Sequence, residues 1–305
     1  MSDYLDILVG TDRSQLLAVA VLEHSIVRRT QARVRLCPLI DLDLPEPKNF
    51  LHGSRTGFSF ARFAIPELMG YRGQALYLDA DMLVFEDISS LWDMPFGQAK
   101  VIIQQDLRPE VLAPNRVGAP VKRVRQCSVM MLDCRRLDWV VSDIVAGLDG
   151  SYTYDELMSD MCILAEAEVS YSLPFEWNSL EFYSEDTRLL HYTDMRNQPW
   201  VSPVNPLGYL WLRELRLMLD SGALSLSTVE EEIALGYFRP SLLDELRDPA
   251  CLLGWDEQKA SAFEKADKAA GFQKHAEVFR RKRERRAAIE AQIAEQQTAN
   301  AASAQ

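Results

Sequence analysis

The chain opens with a short apolar run, Leu5 to Val9, that stops at Gly10-Thr11-Asp12, and from Leu16 to Val27 apolar residues recur at helical spacing. This pattern predicts strand, loop, helix. The β-branched run Val34 to Cys37 predicts a second strand. The turn-rich stretch from Asp41 to Gly57, with Pro45, Pro47 and Gly53, predicts a long surface loop. Helical periodicity returns from Phe58 to Met69 and is closed by Gly70. Ala75 to Leu78 then predicts a strand running straight into Asp79-Ala80-Asp81, after which Val84 and Phe85 resume the apolar run. Val101 to Ile103 and Ser128 to Leu132 have the composition of buried strands, with the Pro/Gly/basic stretch Pro109 to Arg125 between them. A helix over Tyr154 to Glu166, a strand over Val169 to Leu173 and a hydrophobic strand into His191 follow. Beyond Leu207 the pattern is helical only: Tyr209 to Leu219, Val229 to Leu235, and one long helix from Asp256 to about Gln297. Strands alternating with helices in the first two thirds predict a layered α/β domain.

Composition agrees with a packed fold. The 305 residues are 48% hydrophobic and 26% charged, enough apolar material for one large or two small domains. The formal charge of −12 would repel a polyanion, so nucleic acid is not an expected partner and an anionic ligand needs local compensation. The longest aliphatic run, Leu16 to Leu22, is far below the roughly 20 residues that cross a bilayer. The start, Met1 to Asp6, carries two aspartates and no basic segment, so a cytoplasmic location is expected. Five cysteines without a CxxC pair suit reduced thiols. Residues 274 to 305 hold seven Lys+Arg against four Asp+Glu, opposite in sign to the acidic body.

Two segments carry candidate chemistry. Side chains alternate along an extended chain, so Asp79 and Asp81 can project to one side with small Ala80 between them. Two carboxylates that close are costly unless a cation lies between them, and hard oxygen ligands suit Mg²⁺ or Mn²⁺. A solvated Asp-x-Asp loop is the alternative. The second segment is Leu189 to Trp200, where His191 ends an apolar run as a strand opens into a loop. Its imidazole is either a metal ligand or a packed core group.

In order along the chain, these segments resemble glycosyltransferase family 8, retaining enzymes of the GT-A fold. Gly10-Thr11-Asp12 is similar to the family's nucleotide-binding Ala-x-Asp loop, Ser59 to Pro66 to its Tyr-x-Arg-Leu-x-Ile-Pro helix, and Leu78-Asp79-Ala80-Asp81 to its Leu-Asp-x-Asp block. Cys127-Ser128-Val129-Met130 stands where the family has Asn-Ser-Gly-Val, and His191 with Gln198-Pro199-Trp200 resembles its His and Lys-Pro-Trp signature. The resemblance implies a GT-A-type, Rossmann-like mixed sheet flanked by helices, with a helical C-terminal extension. It implies a UDP-sugar donor, a glycan or glycolipid acceptor, and Mn²⁺ (or Mg²⁺) on Asp79, Asp81 and His191. Gly10, Thr11, Asp12, Arg62, Ala80 and Ser128 would join the two acids in holding the donor, Arg62 by compensating phosphate charge. Asp160 and Gln198 are the implied catalytic positions, with Asp155 competing for the role of Asp160.

The departures are as specific as the matches. Gln198 stands in place of the family's lysine, one residue further from the histidine, leaving Arg196 as a substitute cation. The altered Asn-Ser-Gly block leaves Gln126 and Ser128 to meet the sugar. A nucleotidyltransferase or a non-catalytic nucleotide-sugar binder are the competing functions. The first usually brings a glycine-rich phosphate loop, and only Gly10 is present near the first strand. The expected organisation is a catalytic domain over 1–205, a helical extension over 206–255, and a basic, then Ala/Gln-rich helix or tail over 256–305. The basic run Arg280 to Arg286 is open to three readings: a solvated helix end, a helix docked on a partner chain in an oligomer, or a peripheral contact with anionic lipid at the inner membrane face.

Overall fold

A computed structural model of the chain describes residues 4–48, 57–104 and 126–303. Gly53 of the predicted loop and the stretch Pro109 to Arg125 lie outside the described residues. Nine strands are described: β1 (Tyr4–Gly10), β2 (Arg33–Leu39), β3 (Ala75–Asp79), β4 (Met82–Val84), β5 (Val101–Gln104), β6 (Gln126–Leu132), β7 (Val169–Leu173), β8 (Ser179–Leu180) and β9 (Leu189–His191). They form a six-stranded sheet in the order β2-β1-β3-β6-β5-β7 and a three-stranded sheet in the order β4-β9-β8. In the large sheet β1 is parallel to β2 and β3, β6 runs antiparallel to both β3 and β5, and β7 is parallel to β5. The fold is a mixed α/β architecture, as the sequence pattern predicts.

The central strands β1, β3, β6 and β5 are buried on both faces, and their rows follow from the two-residue period of a strand. Ile7, Leu76, Met131 and Ile102 stand side by side across β1, β3, β6 and β5 on one face. The next row, Leu8, Tyr77, Met130 and Ile103, faces the opposite core. Asp79 has the parity of Tyr77 and therefore leaves β3 on the face covered by Phe60, Ala61 and Phe63 of the 3-10 helix Gly57–Ala64. A third core joins Leu17 and Val21 of helix Leu16–Val27 to Leu83 of β4, Leu190 of β9, Trp200 and Trp211.

Three boundaries differ from the sequence expectation. The helix predicted to reach Glu166 ends at Asp160, because Met161 adopts a left-handed conformation (φ 49°) that terminates helical hydrogen bonding. The Val84-Phe85 run does not continue β3: the chain bends at Ala80-Asp81 and Met82–Val84 enters the small sheet. The long C-terminal helix is two helices, Glu257–Ala269 and Ala276–Ser303, separated at Gly271 (φ 82°) and His275 (φ 51°). Among the described residues no helix is long and apolar enough to cross a membrane.

Helix Gly208–Ser221 is tied to helix Leu16–Val27 through Glu214, which is only 2% exposed. Glu214 accepts hydrogen bonds from Arg28 Nε (2.6 Å) and Nη2 (2.8 Å), and its Oε1 lies 2.7 Å from His24 Nδ1. Burial by itself would raise this carboxyl, but the Arg28 hydrogen bonds and the Arg29 charge outweigh it and hold the group below its ordinary value. Glu214→Ala is expected to cost about 3 kcal/mol, because a buried ionic cluster loses its centre; a urea midpoint measures it. Since the folded-state value is depressed, this stabilisation is complete above the usual glutamate pKa of about 4.3 and fades as pH falls below it. The stability gap between wild type and Glu214→Gln should therefore narrow in acid.

Candidate active site at the end of β3

The end of β3 is fixed by the backbone before any side chain acts. Gly10 pairs with Asp79 in the β1–β3 register, and the Gly10 carbonyl accepts from Ala80 N–H (3.2 Å). The Asp81 carbonyl accepts from Tyr192 N–H (2.8 Å), and Met82 faces His191 in the β4–β9 ladder. The bend after Asp79 thus joins the large sheet to the small one, and His191, more than a hundred residues later, is delivered beside it. His191 Nε2 lies 3.0 Å from Asp81 Oδ1 and 4.0 Å from Asp79 Oδ2. One ligand atom from each of the three residues falls within 4.8 Å of the others.

The surrounding groups orient this cluster. Asn178, 1% exposed, donates from Nδ2 to Gln104 Oε1 (2.6 Å) and to Ser128 Oγ (2.9 Å). Its Oδ1 is left as an acceptor 2.9 Å from His191 Nδ1. The imidazole proton therefore belongs on Nδ1 and the Nε2 lone pair faces the two carboxylates, the orientation a metal ligand requires. Three electron-rich atoms directed at one another repel unless a cation lies between them. Two oxygens and one imidazole nitrogen fit Mn²⁺, and Mg²⁺ less well because of the nitrogen.

Asp79 is held on its other side by Tyr77, whose hydroxyl donates to Oδ1 (2.5 Å), and by Arg62 Nη2 (3.3 Å). Burial raises the Asp79 carboxyl above its ordinary value, opposed by the Arg62 guanidinium and reinforced by the Asp81 charge. Arg62 is buried, with its guanidinium 4.4 Å from the centre of the Tyr77 ring, and it also bonds the carbonyls of Ser59 and Cys127. Arg62 is thus a buried, partnered cation and not a solvated surface group. Gly10 is required by the same contact: a Cβ there would lie 2.1 Å from the Tyr77 hydroxyl oxygen.

A cleft of about 480 Å³ opens over the cluster, and Arg62, Ala80, Gln126, Ser128 and Gln198 line it with the three candidate ligands. Gln198 is buried and donates to Asp81 Oδ2 (2.7 Å) and to the Tyr192 carbonyl (3.2 Å). Of the two competing acids, Asp155 lines this cleft. Asp160 does not: it is an exposed residue at the end of its helix, outside the cleft lining. Arg196 is likewise exposed and outside the cleft lining, so the substitute-cation expectation is not met. Thr11 and Asp12 line an adjoining cavity of about 500 Å³. There Asp12 caps the turn Arg13–Gln15 by accepting from Ser14 N–H (2.8 Å), and the next residue along, Gln15, reaches the first cleft.

Sequence reasoning missed Tyr77, Gln104, Tyr154 and Asn178 as residues of this site. Gln104 had one available signal, a polar side chain at the end of the apolar run Val101 to Ile103, and Asn178 had none. Asn178→Ala is expected to release the His191 tautomer and weaken Mn²⁺ binding 10- to 100-fold, as loss of outer-shell partners does; titration calorimetry with Mn²⁺ measures it.

Residues 54–126, which include Arg62 and Asp79-Ala80-Asp81, match the family model described as glycosyl transferase family 8. The chain is 28% identical over 229 residues to protein CDI of Arabidopsis thaliana, covering 68% of this chain and 85% of that protein. Among solved structures it is similar to the glycosyltransferase GlyE of Streptococcus pneumoniae TIGR4, with 16% identity, a TM-score of 0.50, and coverage of 79% of this chain and 66% of that one. The bifunctional glycosyltransferase WbbM aligns at 14% identity and a TM-score of 0.49 over 70% of this chain and 50% of that one. The chain thus spans half to two thirds of the length of those two proteins. The segment that ends β3 in paired acids thus matches glycosyl transferase family 8, and the chain as a whole shares the fold of a solved glycosyltransferase.

Proposed function

We propose that this protein transfers a hexose from a UDP-sugar to a hydroxyl of a glycan or glycolipid acceptor, with retention at the anomeric carbon. The observation that carries this reading is the convergence of Asp79, Asp81 and His191 at the floor of a cleft adjoining the Asp12 cavity. A divalent cation bound by these three groups would supply Lewis-acid stabilisation of the departing diphosphate. The chain's own residues do the rest. Asn178 and Tyr77 keep His191 and Asp79 in ligating orientation, and Gln198 holds Asp81 by its second oxygen. Asp12 and Thr11 accept and donate hydrogen bonds at the nucleoside end. Ser128 and Gln126 stand beside the cluster, where they meet sugar hydroxyls.

Asp155 is the acid that faces the cleft from the helix side, and its role is to accept hydrogen bonds from sugar or acceptor hydroxyls. Retention follows from attack on the face the diphosphate leaves, with the acceptor proton passing to the departing phosphate oxygen; this route needs no enzyme-bound sugar ester. Catalysis on this scheme is positioning and charge stabilisation. Nucleotidyl transfer is disfavoured because the turn after β1 has a single glycine.

The purified chain with Mn²⁺ is expected to hydrolyse a UDP-hexose slowly without acceptor. Excess chelator should abolish that turnover and Asp81→Asn should lower it at least 100-fold, as removal of one transition-state stabilising group does. Chromatographic separation of UDP from UDP-sugar measures both, and full turnover in chelator would sink the metal role.

A further inference from the structure

The C-terminal helix Ala276–Ser303 is tied to the body at two points. Just before it, Phe272 packs against the third core, and Lys274 Nζ donates to Ser202 Oγ (2.9 Å) and to Glu264 Oε1 (2.9 Å). Within it, Arg285 pairs with Glu46 of the segment that follows β2. Val278, Arg281 and Arg285, spaced three and four residues apart on one face, line the cavity of about 500 Å³ that holds Thr11 and Asp12. The helix is therefore a wall of that cavity. It does not fill it, since the space left beside the helix is within the range that small ligands occupy.

The remaining lining decides what class of ligand fits. Leu39, Leu42, Leu44 and Phe58 join Val278 in an apolar surface suited to a flat ring. Five acids and three arginines also line the cavity, so an anion is disfavoured and a neutral group with polar edges is favoured. The three arginines are not equivalent. Arg13 spends both Nη groups on Glu232 (3.0 and 2.8 Å), and Arg285 is taken up by Glu46. Arg281 is held through Nε, which donates to Glu277 Oε1 (2.8 Å). Among the described residues neither of its Nη groups makes a hydrogen bond, so a planar fork clamped at its stem keeps donors free at the cavity wall.

Resting on the UDP-sugar reading above, we propose that the C-terminal helix completes the nucleoside pocket and that Arg281 is a base-binding residue, donating from Nη to a carbonyl oxygen of the uracil. A uracil ring is neutral and flat and carries two carbonyl acceptors, which matches an apolar lining with one uncommitted guanidinium. The diphosphate is left to the cation site of Asp79, Asp81 and His191 in the adjoining cleft.

The test is calorimetry with Mn²⁺ present, comparing UDP with inorganic pyrophosphate on the full-length wild type, Arg281→Gln and Arg283→Gln. Arg283 is exposed on the same helix and outside the cavity lining, so its substitution makes the same change of charge without the contact. Arg281→Gln is expected to bind UDP about 10-fold more weakly than wild type, the effect of one hydrogen bond from a charged donor. Its pyrophosphate affinity should be unchanged, which also reports an intact fold, and Arg283→Gln should match wild type on both ligands. Unchanged UDP affinity in Arg281→Gln overturns the role of Arg281. Tighter UDP binding overturns it too, by making the helix an obstruction. An equal loss on pyrophosphate, or an equal loss in Arg283→Gln, assigns the effect to phosphate contact or to helix charge and likewise overturns it. Each of these results leaves the donor reading intact, whereas failure of wild type to bind UDP removes that reading and the role of Arg281 with it.

Discussion

Mutual repulsion among three lone-pair-bearing groups organises this molecule. Asp79, Asp81 and His191 face one another across a few ångströms of mostly buried space, an arrangement that a fold tolerates only if the backbone holds each group rigidly and a positive charge is available. Arg62 supplies part of that charge from one side, through Asp79. The Asn178 network supplies the rigidity from the other, by leaving the imidazole a single orientation.

The two sheets exist in a division of labour around this point. The large sheet ends β3 at a fixed depth between β1 and β6, so that Asp79 emerges at the rim of the core. The small sheet returns the chain antiparallel to β4 and delivers His191 opposite the residue after Asp81. Because strand side chains alternate, a one-residue slip in that ladder would turn the imidazole to the far face. Leu83 and Leu190, packed against helix Leu16–Val27 and Trp200, oppose such a slip. The helices after residue 207 continue that same core.

Much of this was legible in the chain. The apolar runs located β1, β3, β5, β6 and β7 to within a few residues, because strands buried on both faces need continuous hydrophobicity. The acids and the histidine were found because a carboxylate pair at the end of such a run is unusual. What escaped detection depends on tertiary contact. Tyr77 reads as one more core aromatic until its hydroxyl is seen to reach Asp79, and Asn178 has no local signature at all. Which of Asp155 and Asp160 faces the cleft depends on how their shared helix packs, and neither residue advertises that. The break before the last helix was likewise hidden, since Gly271 alone signalled it and positive φ is uncommon for a non-glycine residue such as His275.

Gly10 has a consequence that reaches past its own loop. Its missing side chain gives the Tyr77 phenol room to reach Asp79, and its carbonyl anchors Ala80, so the strand that leads into the Thr11-Asp12 loop also sets the height of the candidate metal ligand Asp79. The two halves of the pocket share one mechanical footing. On the donor reading proposed above, remodelling the first loop for a different base would therefore alter the affinity for cations as well, whether or not that was intended.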